Sequence, residues 1–217
     1  MKPSYSDSHR TRLVATLQRI RQFVREGTIV GNVGLSEVDD IIKSRLKPGK
    51  VYSIVPSQQY LNELGLKRPD DEIVFFDLTK PNRKIPMRCD ILILTEVLEH
   101  LFVDDTIVLS NIKMLLADDG LFVLTVPNAA TLGHRLRLLF GRNIFWPKNE
   151  IVKGVFGGYG HLREYTFQEI KGLLEDDFKI LEMEGINGYR KGYKRLFNVL
   201  PKTFANTIFV LAKSNAS

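Results

Sequence analysis

The chain has 217 residues, of which 44% are hydrophobic and 26% charged, so it can form one large globular domain. No apolar run approaches the roughly 18–20 residues needed to span a bilayer, and the start of the chain lacks the apolar core of a signal peptide. The single cysteine, Cys89, excludes an intrachain disulfide, and the net charge is +6. These features predict a cytoplasmic protein with basic surfaces.

The first half of the chain alternates between predicted helices and strands. An amphipathic helix is expected over residues 10–26, because Leu13, Leu17, Ile20 and Val24 recur at helical spacing. Gly27 is expected to end that helix. The next predicted elements are a strand at 28–30, a helix around 38–46, a strand at 51–55, a helix up to residue 65 and a strand at 72–76.

A continuous aliphatic run, Ile91 to Leu94, predicts a central strand that is buried on both faces. Glu96, Glu99 and His100 follow directly. Ligands of open α/β sheets bind outside the carboxyl ends of the strands, so these side chains are candidates for a functional site. The alternative is a solvated loop that ends in a helix cap.

The second half of the chain begins with the same alternation. It predicts a helix at 104–117, a turn at Asp118–Gly120, a strand at 121–126, a basic helix at 129–142, a helix at 166–174 and strands at 178–183 and 207–212. Thr166 and Glu169 have the spacing of a capping box. The β-α alternation favours a doubly wound parallel sheet, and the aromatic, glycine-rich loop at 143–162 is long enough to suggest a function.

Glycine and acidic residues end two other predicted strands. Gly31 and Gly34 follow the first strand, where they would let the backbone approach a ligand, or else form an ordinary tight turn. Asp77 ends the third strand and could accept a hydrogen bond from an exocyclic amine, or else cap a turn. The Gly-x-Gly-x-x-Gly pattern of dinucleotide binding is missing, which disfavours a nicotinamide-dependent enzyme.

Three segments of the chain, Asp90–Leu101, Gly120–Asn128 and Gly160–Phe167, resemble class I S-adenosylmethionine-dependent methyltransferases, in particular those that modify small metabolites or cell-surface sugars. The resemblance covers roughly residues 10–213 and is specific in the second half. It implies an α/β, Rossmann-like, doubly wound and mostly parallel seven-stranded sheet with an antiparallel last strand. It also implies one domain over 1–217, with a cofactor-binding half at 10–128 and substrate-binding insertions at 129–162 and 186–204.

The same resemblance implies S-adenosylmethionine as the cofactor. The cofactor-binding positions that it implies are Gly31, Asn32 and Gly34 after the first strand, Asp77 and Leu78 after the third, and Glu96 and Val97 after the fourth. Two positions depart from the family pattern, because Val30 and Val55 replace the usual acids. Each missing acceptor would cost roughly 1–3 kcal/mol, which together weakens binding roughly 30-fold to several thousand-fold. Ser53, Ser57 or Gln58 could compensate.

Methyl transfer depends largely on orientation of the acceptor, and a hydroxyl acceptor also needs a base. His100 and His161 are the predicted catalytic bases, with a structural role as the alternative for each. Trp146, Tyr159 and Arg163 are the predicted substrate contacts. The histidines are scattered along the sequence, so we expect no metal site.

The sequence favours a methyltransferase that acts on an oxygen or nitrogen of a small or sugar-like acceptor. The alternative is a methyltransferase-like protein that has lost its cofactor and acts as a binding or regulatory partner, as Val30 and Val55 would suggest. The basic aromatic segments 134–146 and 188–197 suggest a phosphorylated or lipid-linked acceptor, or peripheral contact with the inner membrane surface. No nucleic-acid-binding motif accompanies them.

Overall fold

The computed structural model of the chain describes residues 5–34, 38–64, 69–147, 149, 161–187 and 200–215, apart from the side chains of residues 5–11, 63 and 64. The helices are α1 (Tyr5–Ile20), α2 (Val38–Leu46), α3 (Gln58–Leu64), α4 (Asp105–Leu115), α5 (Leu132–Leu139) and α6 (Phe167–Leu174). The strands are β1 (Ile29–Val33), β2 (Lys50–Val55), β3 (Ile73–Phe75), β4 (Cys89–Thr95), β5 (Leu116–Pro127), β6 (Phe178–Ile186) and β7 (Thr207–Ser214).

These strands form a seven-stranded sheet in the order β3-β2-β1-β4-β5-β7-β6. The strands β1 to β5 pair in parallel, and β7 pairs antiparallel with both β5 and β6. The sequence-based prediction of a Rossmann-like, mostly parallel sheet with an antiparallel last strand is therefore confirmed.

Successive residues of β4 pack into opposite layers. Ile91 and Ile93 join the apolar cluster that includes α1 and α2, whereas Leu92 and Leu94 join the cluster that includes α4 and α6. All four side chains are at most 1% exposed. A strand that is covered on both faces needs apolar residues at every position, which explains the continuous run in the sequence.

Several predicted boundaries differ from those of the structure. The first α-helix ends at Ile20, and a short 3₁₀ turn at Arg21–Phe23 leads to the reversal at Gly27. The basic helix is only Leu132–Leu139, because Thr131 caps its N-terminus. β1 extends to Val33, so Gly31 and Asn32 lie in a strand and not in the loop that follows it.

The predicted turn at Asp118–Gly120 is wrong, because these residues belong to β5. Cys89 pairs with Leu116 and Ile91 pairs with Leu121, so the intervening residues form a bulge in the ladder. Asp119 adopts a φ of 65° inside this bulge. The turn-forming residues Asp118–Gly120 therefore form a β-bulge, which accommodates extra residues within β5.

Among the helices of the described part of the chain, none is long and apolar enough to cross a membrane. Most of the predicted aromatic loop beyond residue 147 and the basic segment 188–197 lie outside the described residues.

Candidate functional site

The carboxyl ends of β1 and β4 lie side by side at the centre of the sheet. The chain continues from β1 towards β2 on one side, whereas β4 leads to β5 on the other. In open α/β sheets, ligands bind where the strand order reverses in this way. Sequence motif and topology therefore point to the same edge of the sheet.

Glu96 is the first residue after β4, and it has an unusual backbone conformation with a φ of 55°. Its N–H donates to the carbonyl oxygen of Thr125 at 2.9 Å. Its Oε1 accepts a hydrogen bond from Thr125 Oγ1 at 3.1 Å, and its Oε2 lies 2.6 Å from Arg12 Nη1. Burial raises the pKa of Glu96, and the opposing effects of Arg12 and Thr125 do not fully offset that increase.

Glu99 lies three residues further on, in a short 3₁₀ turn, and is only 1% exposed. Both of its carboxylate oxygens are buried and accept no hydrogen bond from the described part of the chain. Burial, together with the charge of Glu96, raises the pKa of Glu99 well above its usual range. A buried carboxylate without a donor is unusual, since buried polar groups in proteins nearly always have a partner.

The segment that carries His161 is held against this turn by the backbone. Leu162 N–H donates to the Glu99 carbonyl oxygen at 2.9 Å. As a result, the rings of His100 and His161 meet edge to face, with centroids 5.0 Å apart. The ring of Trp146 lies 4.9 Å from that of His161. Three predicted site residues, His100 after β4 and Trp146 and His161 from the long loop, therefore converge.

Two histidines share Glu164 as a neighbour. His161 Nδ1 lies 3.2 Å from one carboxylate oxygen of Glu164, and His134 Nδ1 lies 3.6 Å from the other. His134 Nδ1 also lies 3.0 Å from the carbonyl oxygen of Ala129. His100 and His161, which are far apart in the sequence, lie with Glu99 in a group of side chains that could hold a metal ion.

Gly31 and Gly34, both predicted to bind the cofactor, lie in different environments. Gly34 has a φ of 96°, and no heavy atom of the described residues lies within 4 Å of where a Cβ would be, so within this part of the chain its backbone borders open space. A Cβ on Gly31, by contrast, would meet the side chains of Ile54, Cys89 and Leu92 at 3.0–3.1 Å. The missing side chain of Gly31 therefore leaves space for the neighbouring core side chains. Of the two glycines, only Gly34 borders open space.

Asn32 is buried at the bottom of this region and bonds to a carboxylate. Its Nδ2 donates to Asp39 Oδ1 at 2.8 Å, and Ser53 Oγ donates to Asp39 Oδ2 at 2.6 Å. Asn32 Oδ1 is buried without a hydrogen-bond partner. Ser53 was a candidate to compensate for a missing acid, but its hydroxyl is already engaged in a hydrogen bond to Asp39.

Asp77 serves the turn that follows β3. Its Oδ1 accepts hydrogen bonds from the backbone N–H and the hydroxyl of Thr79 at 2.9 and 2.6 Å, and its Oδ2 lies 2.8 Å from Lys80 Nζ. Burial raises the pKa of Asp77, but the hydrogen bonds from Lys80 and Thr79 outweigh it and lower the net pKa. Leu78 beside it is buried, and Val97 is half-buried against the core.

Val30 and Val55 are both fully buried. Val30 packs in the apolar layer beneath α1 and α2, whereas Val55 packs against Leu61 at the end of β2. Each valine thus completes a hydrophobic contact at a position where the family pattern has an acid.

Of the remaining predicted substrate contacts, Arg163 is the one that lies within the described residues. Arg163 Nη2 bonds to Glu169 Oε1 at 2.9 Å, and its guanidinium lies 5.2 Å from the ring of Tyr165. Arg163 lines a neighbouring groove of about 790 Å³ between the residues after β4 and α6. Tyr159 lies outside the described residues.

Three residues of this region had no role in the sequence-based prediction: Arg12, Thr125 and Glu164. Glu164 belongs to the segment that carries the family resemblance, so the motif itself could have indicated it. Arg12 gives no such signal, because only the packing of α1 brings it to a residue 84 positions away.

No protein-family model matches the chain, and no curated protein matches its sequence significantly. Solved structures do match its fold. A magnesium protoporphyrin IX methyltransferase from Synechocystis PCC 6803, solved with bound SAH, is 16% identical with a TM-score of 0.59, over 99% of this chain and 89% of that chain.

Two further structures are similar to a comparable extent. An S-adenosylmethionine-dependent methyltransferase from Clostridium acetobutylicum ATCC 824 is 14% identical with a TM-score of 0.58, over 98% of this chain and 92% of that chain. One from Mesorhizobium loti is 15% identical with a TM-score of 0.58, over 95% and 97%. At this level of identity, the chain shares the methyltransferase fold with them.

Proposed function

We propose that the protein is an S-adenosylmethionine-dependent methyltransferase that acts on an oxygen or nitrogen of a small or sugar-like acceptor. The observation that carries the proposal is the cluster of Glu96, Glu99, His100 and His161 at the carboxyl end of β4, beside the opening at Gly34. The fold supports it, because a site at this edge is where such a sheet binds its ligands.

The residues present fit the cofactor at one end better than at the other. The open backbone at Gly34 leaves room for close approach, and Glu96 and Val97 follow β4 next to it. At the adenosine end, Val55 offers no acceptor, and both Asp77 oxygens already accept hydrogen bonds or pair with Lys80. We therefore expect weaker binding than in a methyltransferase with the usual acids.

When bound, S-adenosylmethionine supplies an electrophilic methyl group and departs as S-adenosylhomocysteine. The chain's own contribution is to place the acceptor and to take its proton. His161 is suited to that role, because Glu164 lies at its Nδ1 and would orient the ring. The ring of Trp146 lies 4.9 Å from that of His161 and would limit access of water.

The surface around α5 supports a hydrophobic or membrane-associated acceptor. Leu139, Phe140 and Phe145 are 75%, 74% and 78% exposed, and basic residues of the same segment are exposed among them. An exposed apolar face flanked by arginines is typical of peptide segments that lie at an anionic membrane surface. Because Trp146 connects this face to His161, we propose that the acceptor approaches from an anionic lipid surface.

Calorimetric titration with S-adenosylhomocysteine tests the proposal. We expect saturable binding in the micromolar to submillimolar range, and then methyl transfer in a screen of hydroxyl and amine acceptors. The absence of heat with millimolar ligand would instead favour the alternative, a methyltransferase-like protein that works without the cofactor. The burial of Val30 and Val55 is the observation that would then explain the loss.

A further inference from the structure

We propose that Glu99, His100 and His161 bind a divalent transition-metal ion at the carboxyl end of β4. Each of the three residues offers a ligand atom that lies within 4.8 Å of the others. Three ligand atoms around one ion, at metal–ligand distances near 2.0–2.2 Å, lie roughly 3.3–3.8 Å from one another, so rotations of the three side chains would bring their ligand atoms around a single ion.

The strongest indication is the Glu99 carboxylate. It is almost entirely removed from water, and neither of its oxygens accepts a hydrogen bond from the described residues. His100 Nε2 lies 3.8 Å from Glu99 Oε1, beyond hydrogen-bonding distance. A buried carboxyl group without a hydrogen-bond partner is costly, and a metal ion would supply a partner directly.

The imidazole of His161 is arranged as metal-binding imidazoles usually are. Its Nδ1 lies 3.2 Å from Glu164 Oε1, and the ring of Trp146 lies 4.9 Å from its ring. A proton on Nδ1 that is shared with Glu164 leaves Nε2 with its lone pair for a metal. Carboxylate–histidine–metal arrangements of this kind fix the tautomer and increase ligand basicity.

The ligand types indicate which class of ion would bind. Two imidazole nitrogens and one carboxylate suit Zn²⁺, Co²⁺ or Fe²⁺ better than Mg²⁺ or Ca²⁺, which prefer oxygen ligands. Three protein ligands also leave positions open for water or a substrate, as in catalytic rather than structural sites.

If the proposed function is correct, an acceptor hydroxyl could occupy one of these open positions. A metal ion lowers the pKa of a bound hydroxyl, so the acceptor would release its proton to solvent water and become nucleophilic without a histidine base. His161 would then position the metal and would not take the proton. This consequence rests on the proposed function, whereas metal binding itself does not.

The test uses the full chain, purified without a polyhistidine tag and treated with a chelator. Titration with Co²⁺ is followed by visible absorption, and titration with Zn²⁺ by calorimetry and thermal unfolding. We expect one ion per chain, and a rise in Tm of about 5–10 °C when Zn²⁺ is at 100 times its Kd. Mg²⁺ at the same concentration should leave Tm unchanged.

Two variants, Glu99→Gln and His161→Gln, should weaken Zn²⁺ binding at least 100-fold. The matched control is His134→Gln, since His134 also faces Glu164 but lies outside the ligand group. It should change the Kd by no more than about threefold. Circular dichroism establishes that each variant is folded. A wild-type chain that does not bind Zn²⁺ or Co²⁺, or binding that persists in both ligand variants, would overturn the proposal.

Repeating the S-adenosylhomocysteine titration with and without chelator separates this proposal from the proposed function. Cofactor binding in a chain that binds no Zn²⁺ would refute only the metal site. Stoichiometric Zn²⁺ binding without cofactor binding would refute only the methyltransferase.

Discussion

Arg12 on α1 and Glu96 at the end of β4 form an ion pair with 2.6 Å between Nη1 and Oε2, although 84 residues separate them. Both side chains are largely buried, with exposed fractions of 18% and 15%. The ion pair connects α1 to the edge of the sheet where the candidate site lies. Glu96 itself has a left-handed backbone conformation, with a φ of 55°.

Replacing Arg12 with leucine should therefore destabilise the protein by about 2–3 kcal/mol, because a partly buried carboxylate would lose its charged partner. Chemical denaturation measures the change. Arg21→Leu is the control, since Arg21 is exposed nearby and its removal should cost no more than about 0.5 kcal/mol. Equal effects of the two substitutions would show that the ion pair does not contribute.

The two glycines near the end of β1 should respond differently to alanine. Gly31→Ala should lower the free energy of unfolding by about 1–3 kcal/mol, because its Cβ would press on Ile54, Cys89 and Leu92. Gly34→Ala meets no neighbour, so its cost should be about 1–2 kcal/mol from the positive φ alone. Under the proposed function, Gly34→Ala should also weaken S-adenosylhomocysteine binding, whereas Gly31→Ala should not. Calorimetry on both folded variants distinguishes these outcomes.

Val30→Asp tests whether the lost acid could simply be restored. The position is fully buried in the apolar layer beneath α1, so a carboxylate there should destabilise the protein by about 3–5 kcal/mol. Val30→Ala, which removes apolar contacts without burying a charge, should cost less, about 1–3 kcal/mol. Thermal unfolding of both variants gives the comparison. A Val30→Asp variant that is stable and binds the cofactor more tightly would contradict this expectation, because it would show that the position can accept an acid.

Asp77 should contribute stability that depends on pH. Its pKa is lowered in the folded state, so the ionised form is favoured by folding, and the contribution is present above the ordinary aspartate pKa of about 3.9. It is lost as the pH falls through the lowered folded-state value. Asp77→Asn should therefore cost about 1 kcal/mol at pH 7, a modest figure because Lys80 is 74% exposed. In urea denaturation, the difference should shrink progressively as the pH falls below about 3.9, and a difference that stays constant as the pH is lowered would contradict this.

The exposed face around α5 should bind anionic vesicles. At low salt, the protein should sediment with vesicles that contain phosphatidylserine and much less with neutral ones. The double variant Leu139→Gln and Phe140→Gln should weaken that binding about tenfold or more, because both side chains are exposed at this face. Leu181→Gln serves as the control, since Leu181 is an exposed leucine on β6. Sedimentation that is unaffected by the double variant would rule out this surface.

Local patterns in the sequence were sufficient for most of the architecture. The aliphatic run at Ile91–Leu94 marks the central strand, and Thr166 with Glu169 forms the predicted capping box. These features depend on residues close in sequence, whose periodicity and hydrogen bonding are local properties. The bulge at Asp118–Gly120 was not predicted, because only pairing with β4 turns a local turn signal into part of a strand.

The candidate site, too, could be predicted only in part from the sequence. The sequence by itself determined that acidic and imidazole groups follow β4, since Glu96, Glu99 and His100 are contiguous with the strand. Only the tertiary structure decided that His161 meets His100 and that Arg12 pairs with Glu96. It also decided that the Glu99 carboxylate is buried where no described residue donates a hydrogen bond to it. Those relationships join residues that are distant in sequence. Their distances and burial follow from how the helices and loops pack on the sheet, which no local pattern encodes.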